Sequence, residues 1–261
     1  MPLEYTILHT NDFHNKLSEP QAERLRGLRS AIGDRGLLLD AGDAIGSGNI
    51  TFRPGGEPIL DTLSDIGYSA MTVGNREFHF SRIGMHSKVS RARFPVLCAN
   101  VRLNSKTPPD DNDFSRGRRA DPPVSPWNLF ELEGGYRVVV FGVTVPMITE
   151  KMSVKHVSAY LFDEPVQTAL RLADQLKETL RPDLIVALTH IGARLDRVLA
   201  EKSNSIDLII GGHSHVIMPL GEWFGETLVV QAGSHGRLFG TVQVSPSATG
   251  KERFKARVEE L

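Results

Sequence analysis

The sequence predicts a layered α/β domain over residues 1–261, and three observations carry that reading. Short apolar runs alternate with longer amphipathic ones, the pattern of strands interleaved with helices. Five of the apolar runs lead into Asp, Asp, Asn, His and His, where a layered sheet gathers its ligands. There is no run of about 18 apolar residues, so nothing in the sequence reads as a membrane span. At 261 residues the chain can close a sizeable core, and no internal repeat divides it.

The strands expected in order are Tyr5–Thr10, Gly36–Asp40, Ala70–Val73, Pro95–Asn100, Arg137–Val143, Leu184–Thr189, Asp207–Ile210, Leu228–Gln231 and Gly240–Val244. Helices are expected over Glu19–Ile32, Glu57–Ile66, Ser81–Ala92, Glu164–Leu180 and Arg194–Glu201. In the fourth helix Val166, Leu170, Ala173, Leu176 and Leu180 form one apolar face. Asp163 is placed to cap it, and Pro165 suits its first turn. The stretch from Leu103 to Trp127 breaks the pattern. It is polar, carries five prolines (108, 109, 122, 123 and 126), and includes Arg116, Arg118 and Arg119. A structureless segment this long is uncommon in a compact domain. It is expected to be a flexible insertion that the fold does not need.

Composition narrows the function. Thirty basic and 31 acidic residues leave a net charge of -1, which gives no bulk attraction to polyanions and no reason to expect nonspecific nucleic-acid binding. The single cysteine, Cys98, sits in an apolar run and reads as a buried thiol. The first residues, Met1-Pro-Leu-Glu-Tyr-Thr-Ile-Leu8, lack a basic region followed by an apolar stretch, so no signal peptide is expected and the location expected is cytoplasmic.

The chemistry is concentrated in five strand-end loops, opening with Asp12-Phe13-His14, Asp43, Asn75, His190 and His213-Ser214-His215. Asp12 and His14 are two apart, so an extended backbone would send both side chains to one face, and His213 and His215 repeat the spacing. Gly42, Gly74, Gly211 and Gly212 precede ligand candidates, where a turn needs free backbone angles or an ion needs room. Carboxylate with imidazole suits Mn²⁺, Fe or Zn²⁺ better than Ca²⁺. Seven candidates exceed what one ion with open positions requires. They suit two ions about 3.5–4 Å apart, as in phosphatases and nucleases.

Taken in order, Asp12-x-His14, Gly42-Asp43, Gly74-Asn75, His190 and Gly212-His213-x-His215 resemble the calcineurin-like metallophosphoesterases. The opening Ile7-Leu-His-Thr-Asn-Asp12-Phe-His14 is similar to the 5′-nucleotidase branch, as are Ala99-Asn-Val101, Leu188-Thr-His-Ile-Gly192 and the run from Val230 to Gly240. The resemblance implies a four-layer α/β/β/α sandwich and a two-metal-dependent phosphoester hydrolase. It implies one metal held by Asp12, His14, Asp43 and His215. The other would be held by Asp43, Asn75, His190 and His213, with Asp43 bridging. It also implies attack on phosphorus by a metal-bound hydroxide. Two divalent ions are therefore expected, with Mn²⁺ favoured, and the substrate expected is a small, nucleotide-like phosphate ester.

Two departures qualify the likeness. Where the family reads Gly-Asn-His-Glu, with the His acting on the leaving group, this chain has Arg76. Arginine stays charged and is a poor proton donor, but it stabilises charge on phosphoryl oxygens. Three residues on stands His79, which a helix starting near Asn75 would bring to the same face as Arg76, ready to supply the missing proton. Asn75, Arg76 and His235 are the expected substrate contacts, although His235 either faces the phosphate or shapes its turn. His9 lies out of phase in the first strand and reads as structural, and His86 and His156 read as surface residues. The second departure is that the sequence stops near the end of the catalytic domain, without the region whose aromatic residues grip a base in the nucleotidase branch. Two alternatives follow: a phosphodiesterase acting on cyclic nucleotides or other diesters, and a catalytically weak metal or phospho-ligand sensor.

Overall fold

The structure, a computed structural model, describes residues 3–104 and 123–261. In chain order the elements are β1 (Tyr5–Thr10), α1 (Glu19–Ile32), β2 (Gly36–Asp40), α2 (Ile59–Ile66), β3 (Ala70–Thr72), α3 (Arg82–Val89) and β4 (Val96–Leu97). Next come β5 (Val101–Leu103), β6 (Trp127–Leu132), β7 (Tyr136–Thr144), β8 (Tyr160–Phe162), α4 (Pro165–Leu180), β9 (Leu184–His190) and α5 (Ala193–Lys202). The last are β10 (Leu208–Gly211), β11 (Glu222–Phe224), β12 (Thr227–Val230), β13 (Leu238–Val244) and β14 (Phe254–Glu260).

Alternation within single strands decides the layers. Ile7 and Leu8 are neighbours on β1 but enter different cores, and Leu37 and Leu39 part from Leu38 on β2 in the same way. On β9, Leu184, Val186 and Leu188 share a cluster with Ile7 and Leu39, while Ile185 and Ala187 face the opposite side. Successive strand side chains leave opposite faces, and a strand covered on both faces is apolar throughout. The shared cluster is the middle of the molecule, where two six-stranded sheets meet. One runs β14-β13-β1-β2-β3-β4 and the other β11-β12-β10-β9-β7-β6. β1 to β4 are mutually parallel, as are β7, β9, β10 and β12.

Helices cover the two outer faces. Leu25 of α1, Leu60 and Leu63 of α2 and Met85 of α3 pack with Leu8, Leu38 and Met71. Val166, Leu172 and Leu176 of α4 and Leu199 of α5 pack with Val139, Phe141, Ile185 and Ile209. The result is the α/β/β/α sandwich that the resemblance implied. Among the described residues, no helix is long and apolar enough to cross a membrane.

Several local expectations are corrected. The cap of α4 is Glu164, whose side chain accepts from the Gln167 amide, while the Asp163 carboxylate takes the Arg102 Nε at 3.1 Å. Glu57 precedes α2 rather than opening it, and its side chain turns into the interior. β4 is shorter than its apolar run because Cys98 N turns aside to Ser125 O, and Ala99 N to Gly142 O. The strands β5, β6, β8, β11 and β14 were not foreseen. β14 reads Phe-Lys-Ala-Arg-Val-Glu-Glu, a charged edge strand with little apolar signal. Both ends of the expected insertion belong to the frame: Leu103 closes β5, Val124 is buried, Ser125 pairs with Val96 and Cys98, and Trp127 opens β6. Residues 105–122 lie outside the described residues.

Candidate metal centre

Five strands, three from one sheet and two from the other, lead into loops that meet at the seam between the sheets. β1 leads into Asp12 and His14, β2 into Asp43 and β3 into Asn75, while β9 ends on His190 and β10 leads into His213 and His215. Among the described residues, two groups of side chains offer ligand atoms that all lie within 4.8 Å of one another. One is Asp12, His14 and His215, and the other is Asp12, Asp43 and His190. Asp12 Oδ1 lies 3.2 Å from His215 Nε2, 3.7 Å from His14 Nε2 and 4.0 Å from His190 Nε2. Asp43 spans the groups as well, with Oδ1 3.5 Å from His190 Nε2 and Oδ2 3.9 Å from His14 Nδ1. Asn75 Oδ1 stands 3.0 Å from His213 Nδ1, and the His190 and His213 rings meet edge to face.

The expected same-face argument fails in detail. Asp12, His14, His213 and His215 are not on extended backbone: their φ values are 56°, 49°, 72° and 55°. Asp43 and His235 also have positive φ, at 56° and 62°. A non-glycine residue in this region costs about 1–3 kcal/mol and persists only where its surroundings impose it. The convergence therefore comes from turned loops that cross-tie, and the two-residue spacing has no strand to act through. Asp12 N donates to Gly42 O, His14 N to Asp43 O, and His235 N to Asp12 O. Gly74 is required by closeness rather than by φ: a Cβ there would stand 2.3 Å from Asp43 Oδ1.

Neighbouring groups fix how each ligand atom points. Asp12 Oδ2 accepts from Asn11 Nδ2 at 2.8 Å and from His213 N at 2.9 Å, which leaves Oδ1 aimed into the cluster. His190 Nδ1 donates to Ala41 O at 2.7 Å, which turns Nε2 toward the carboxylates. Among the described residues, Asp12 Oδ1 and His190 Nε2 are both buried without a hydrogen-bond partner. Buried polar atoms without partners are costly, and a divalent cation between them would satisfy both. The mixed oxygen and nitrogen set fits a first-row divalent ion.

Charge adds to the case. Burial lowers the His14 and His213 pKa values, and nearby Asp43 and Asp12 only partly offset it, so both rings keep lone pairs at neutral pH. Burial also works against charge on His190, but the Asp43 carboxylate 3.5 Å from Nε2, with Asp12 behind it, outweighs burial and raises the value to about 9. Burial presses the Asp43 pKa up, yet His190, the Arg76 amide and His14 hold it below the ordinary carboxylate value.

Sequence reasoning missed Glu77. It has no exposed surface, and its carboxylate accepts the amides of Asp43, Gly74 and Ile45 at 2.9, 2.8 and 3.1 Å. Burial, then the nearby Asp43 charge, push its pKa to about 7. The signal was present, since Glu77 closes the phrase Gly74-Asn75-Arg76-Glu77.

The remaining candidates separate. Arg76 joins the cluster: its amide donates to Asp43 Oδ1 at 2.7 Å, and its Nε lies 3.9 Å from Asp43 Oδ2 with the side chain 38% exposed. The His235 ring lies 5.2 Å from His14 and 5.7 Å from His215, centroid to centroid. His79 does not join. It is buried between Phe52 and Phe80, Nδ1 accepts the Ser81 amide at 3.0 Å, and Nε2 faces Ile50 O at 3.2 Å. With both nitrogens engaged, it lacks the free donor that the expected proton-supplying role requires. His9 is buried against Gly240, and His86 and His156 are exposed.

Comparison with known proteins agrees with this geometry. The family described as calcineurin-like phosphoesterase matches residues 5–217. The chain belongs to that family. Its chemistry is accordingly metal-dependent phosphoester hydrolysis. Among relatives of this phosphoesterase, the trifunctional nucleotide phosphoesterase protein YfkN of Bacillus subtilis is 30% identical, over 93% of the chain and 18% of that protein. A 5′-nucleotidase of Vibrio cholerae is 29% identical, over 80% of the chain and 40% of that protein. The chain thus spans less than half the length of these curated relatives. A 5′-nucleotidase precursor of Thermus thermophilus superposes with a TM-score of 0.75 at 24% identity, covering 99% of the chain and 54% of that structure. These structural likenesses carry the fold.

Proposed function

We propose that this phosphoesterase hydrolyses a phosphate ester of a small, nucleotide-like molecule, using two divalent cations held by seven residues. Asp12, His14, Asp43 and His215 would hold one ion, and Asp43, Asn75, His190 and His213 the other. The observation that carries this reading is that Asp43 faces both His14 and His190, while buried Asp12 Oδ1 and His190 Nε2 await a partner. When bound, such ions activate water and neutralise charge on phosphoryl oxygens. Mn²⁺ suits this mixed set of two carboxylates, an amide and imidazoles.

The chain's own part is orientation and charge. Asn75 and His213 set each other's rotation through their 3.0 Å contact. Arg76 is half-exposed beside Asp43 and keeps its positive charge, which places it to meet a phosphoryl oxygen. Because Arg76 cannot donate the leaving group's proton, and His79 is engaged elsewhere, the site favours esters whose leaving group departs as a stable anion. The nucleotide-like substrate rests on the names of the relatives. A second reading, diester hydrolysis, is favoured by the open rim on which His213 and His215 are exposed.

The test removes metal with a chelator, restores Mn²⁺, and compares an aryl phosphomonoester, an aryl phosphodiester, 5′-nucleotides and cyclic nucleotides. Monoester and nucleotide turnover that needs Mn²⁺ is the expected result. Faster diester turnover moves the assignment to the second reading. Metal binding without turnover of any of them would make the chain a sensor and overturn the proposal.

A further inference from the structure

Lys88 lies on α3 and has no exposed surface. A buried ammonium is costly unless each of its three hydrogens finds an acceptor, and here each does. Lys88 Nζ donates to Ser47 Oγ at 3.1 Å, to Gly48 O at 2.9 Å and to Arg76 O. Ser47 Oγ in turn donates to Glu57, also fully buried, at 2.9 Å. The acceptors belong to two different loops, one following β2 and one following β3. Both loops border the metal cluster.

The consequence falls on Arg76. Its amide N–H is held by Asp43 Oδ1 at 2.7 Å and its carbonyl by Lys88, so both flanking peptides are fixed. Its guanidinium Nη1 reaches Gly46 O at 3.5 Å, one residue before the Ser47 that Lys88 also holds. We propose that Lys88 is a positioning residue for phosphate recognition, clamping the Gly46–Gly48 loop and the Arg76 backbone together so that the guanidinium is presented to phosphoryl oxygens. This rests on the reading of Arg76 as a phosphoryl contact. A lysine suits the task because its three donors spread in three directions from a flexible stem, while arginine's planar fork would not match acceptors placed on two loops.

The experiment uses the Mn²⁺-loaded full chain and inorganic phosphate as the probe, titrated calorimetrically and as a competitive inhibitor. Lys88→Met should weaken phosphate binding about 10–100-fold, the size typical of losing a supporting contact in such a site, with Mn²⁺ content unchanged. Arg76→Ala should weaken it comparably, and the double variant should be no worse than Arg76→Ala alone. Unchanged phosphate binding in Lys88→Met, or losses that multiply in the double variant, would overturn the inference while leaving the Arg76 reading intact. Unchanged binding in Arg76→Ala would overturn both. If Lys88→Met does not fold, Ser47→Ala serves instead. A weakening that vanishes in the Arg76→Ala background supports the clamp, and one that persists refutes it.

Discussion

The two sheets contribute different chemistry to one centre. Loops of the first sheet supply oxygen from Asp12, Asp43 and Asn75, together with His14. Loops of the second supply only imidazole, from His190, His213 and His215. Each set is oriented by the other. His190 is turned by Ala41 O, His213 by Asn75, and Asp12 by the His213 amide. Neither sheet holds a finished site, so the apolar seam of Ile7, Leu39, Val186 and Ile210 sets the register of the candidate ligands as well as the fold. Burial divides the candidate ligands a second way. Asp12, Asp43 and His190 form a buried floor, while His213 and His215 form an exposed rim.

The sharpest way to break this comparison is at the floor. Asp43→Asn should disturb both ions at once and lower turnover by about 10³-fold or more, since two bound ions supply several kcal/mol of stabilisation. His215→Ala and His213→Ala should each lower the occupancy of mainly one ion. Metal analysis of the purified variants checks this. Loss of a single ion in Asp43→Asn would remove Asp43 from the bridging position. One layer further out, Glu77→Gln should cost about 10–100-fold in metal affinity or activity. It keeps the volume but gives up the charge that gathers the Asp43, Gly74 and Ile45 amides. An unchanged Mn²⁺ affinity would mean that those loops hold their shape without it.

The contrast between floor and rim also has a proton signature. His190 is raised to about 9, so without metal its ring is charged at pH 7.5, whereas His14 and His213 are lowered and neutral. Ligation by Nε2 requires the His190 proton to leave. Mn²⁺ uptake at pH 7.5 should therefore release about one proton, and apparent affinity should rise with pH until about 9. For the metal-free chain the linkage has the opposite sense. A histidine raised above its unfolded value stabilises fully below about pH 6.5 and loses that contribution as pH climbs through about 9. Calorimetry in two buffers of different ionisation enthalpy measures the proton. A result near zero would take His190 out of the ligand set.

Much of this centre was legible because its residue types sit at strand ends, and strand ends are marked by apolar runs that stop. Leu39-Asp-Ala-Gly-Asp43 and Ile210-Gly-Gly-His213 announce themselves that way. The peripheral strands did not, because β11 is only Glu222–Phe224 and β14 alternates charged with apolar residues, so neither shows an apolar run even though each pairs antiparallel with the strand next to it in the chain. Glu77 and Lys88 are a different kind of omission. Charged residues on amphipathic stretches read as surface, and only the tertiary fold shows that their partners are backbone groups of loops from other strands. The αL turns at Asp12, His14, His213 and His215 leave little trace in sequence beyond the tolerance of Asp and His for positive φ.

His79 should produce the smallest chemical effect, and it separates a residue near the centre in sequence from one in it. The ring accepts from Ser81, faces Ile50 O and packs against Phe52 and Phe80, so it ties the segment around residues 50–52 to the start of α3. A proton donor would matter to alkyl esters, whose leaving group is a poor anion, by about 10²–10⁴-fold, and far less to activated aryl esters. A packing residue has no such preference. His79→Ala should therefore slow nucleotides and aryl phosphates by the same small factor. Its cost should appear in stability instead, at about 1–3 kcal/mol for the buried hydrogen bonds lost, read as a lower melting temperature of the Mn²⁺-loaded chain. A loss confined to nucleotides would return His79 to the role of acid and would require Phe52 and Phe80 to release the ring when substrate binds. Equal, slight losses on both substrate classes would leave Arg76 as the group beside Asp43 that answers the phosphoryl charge.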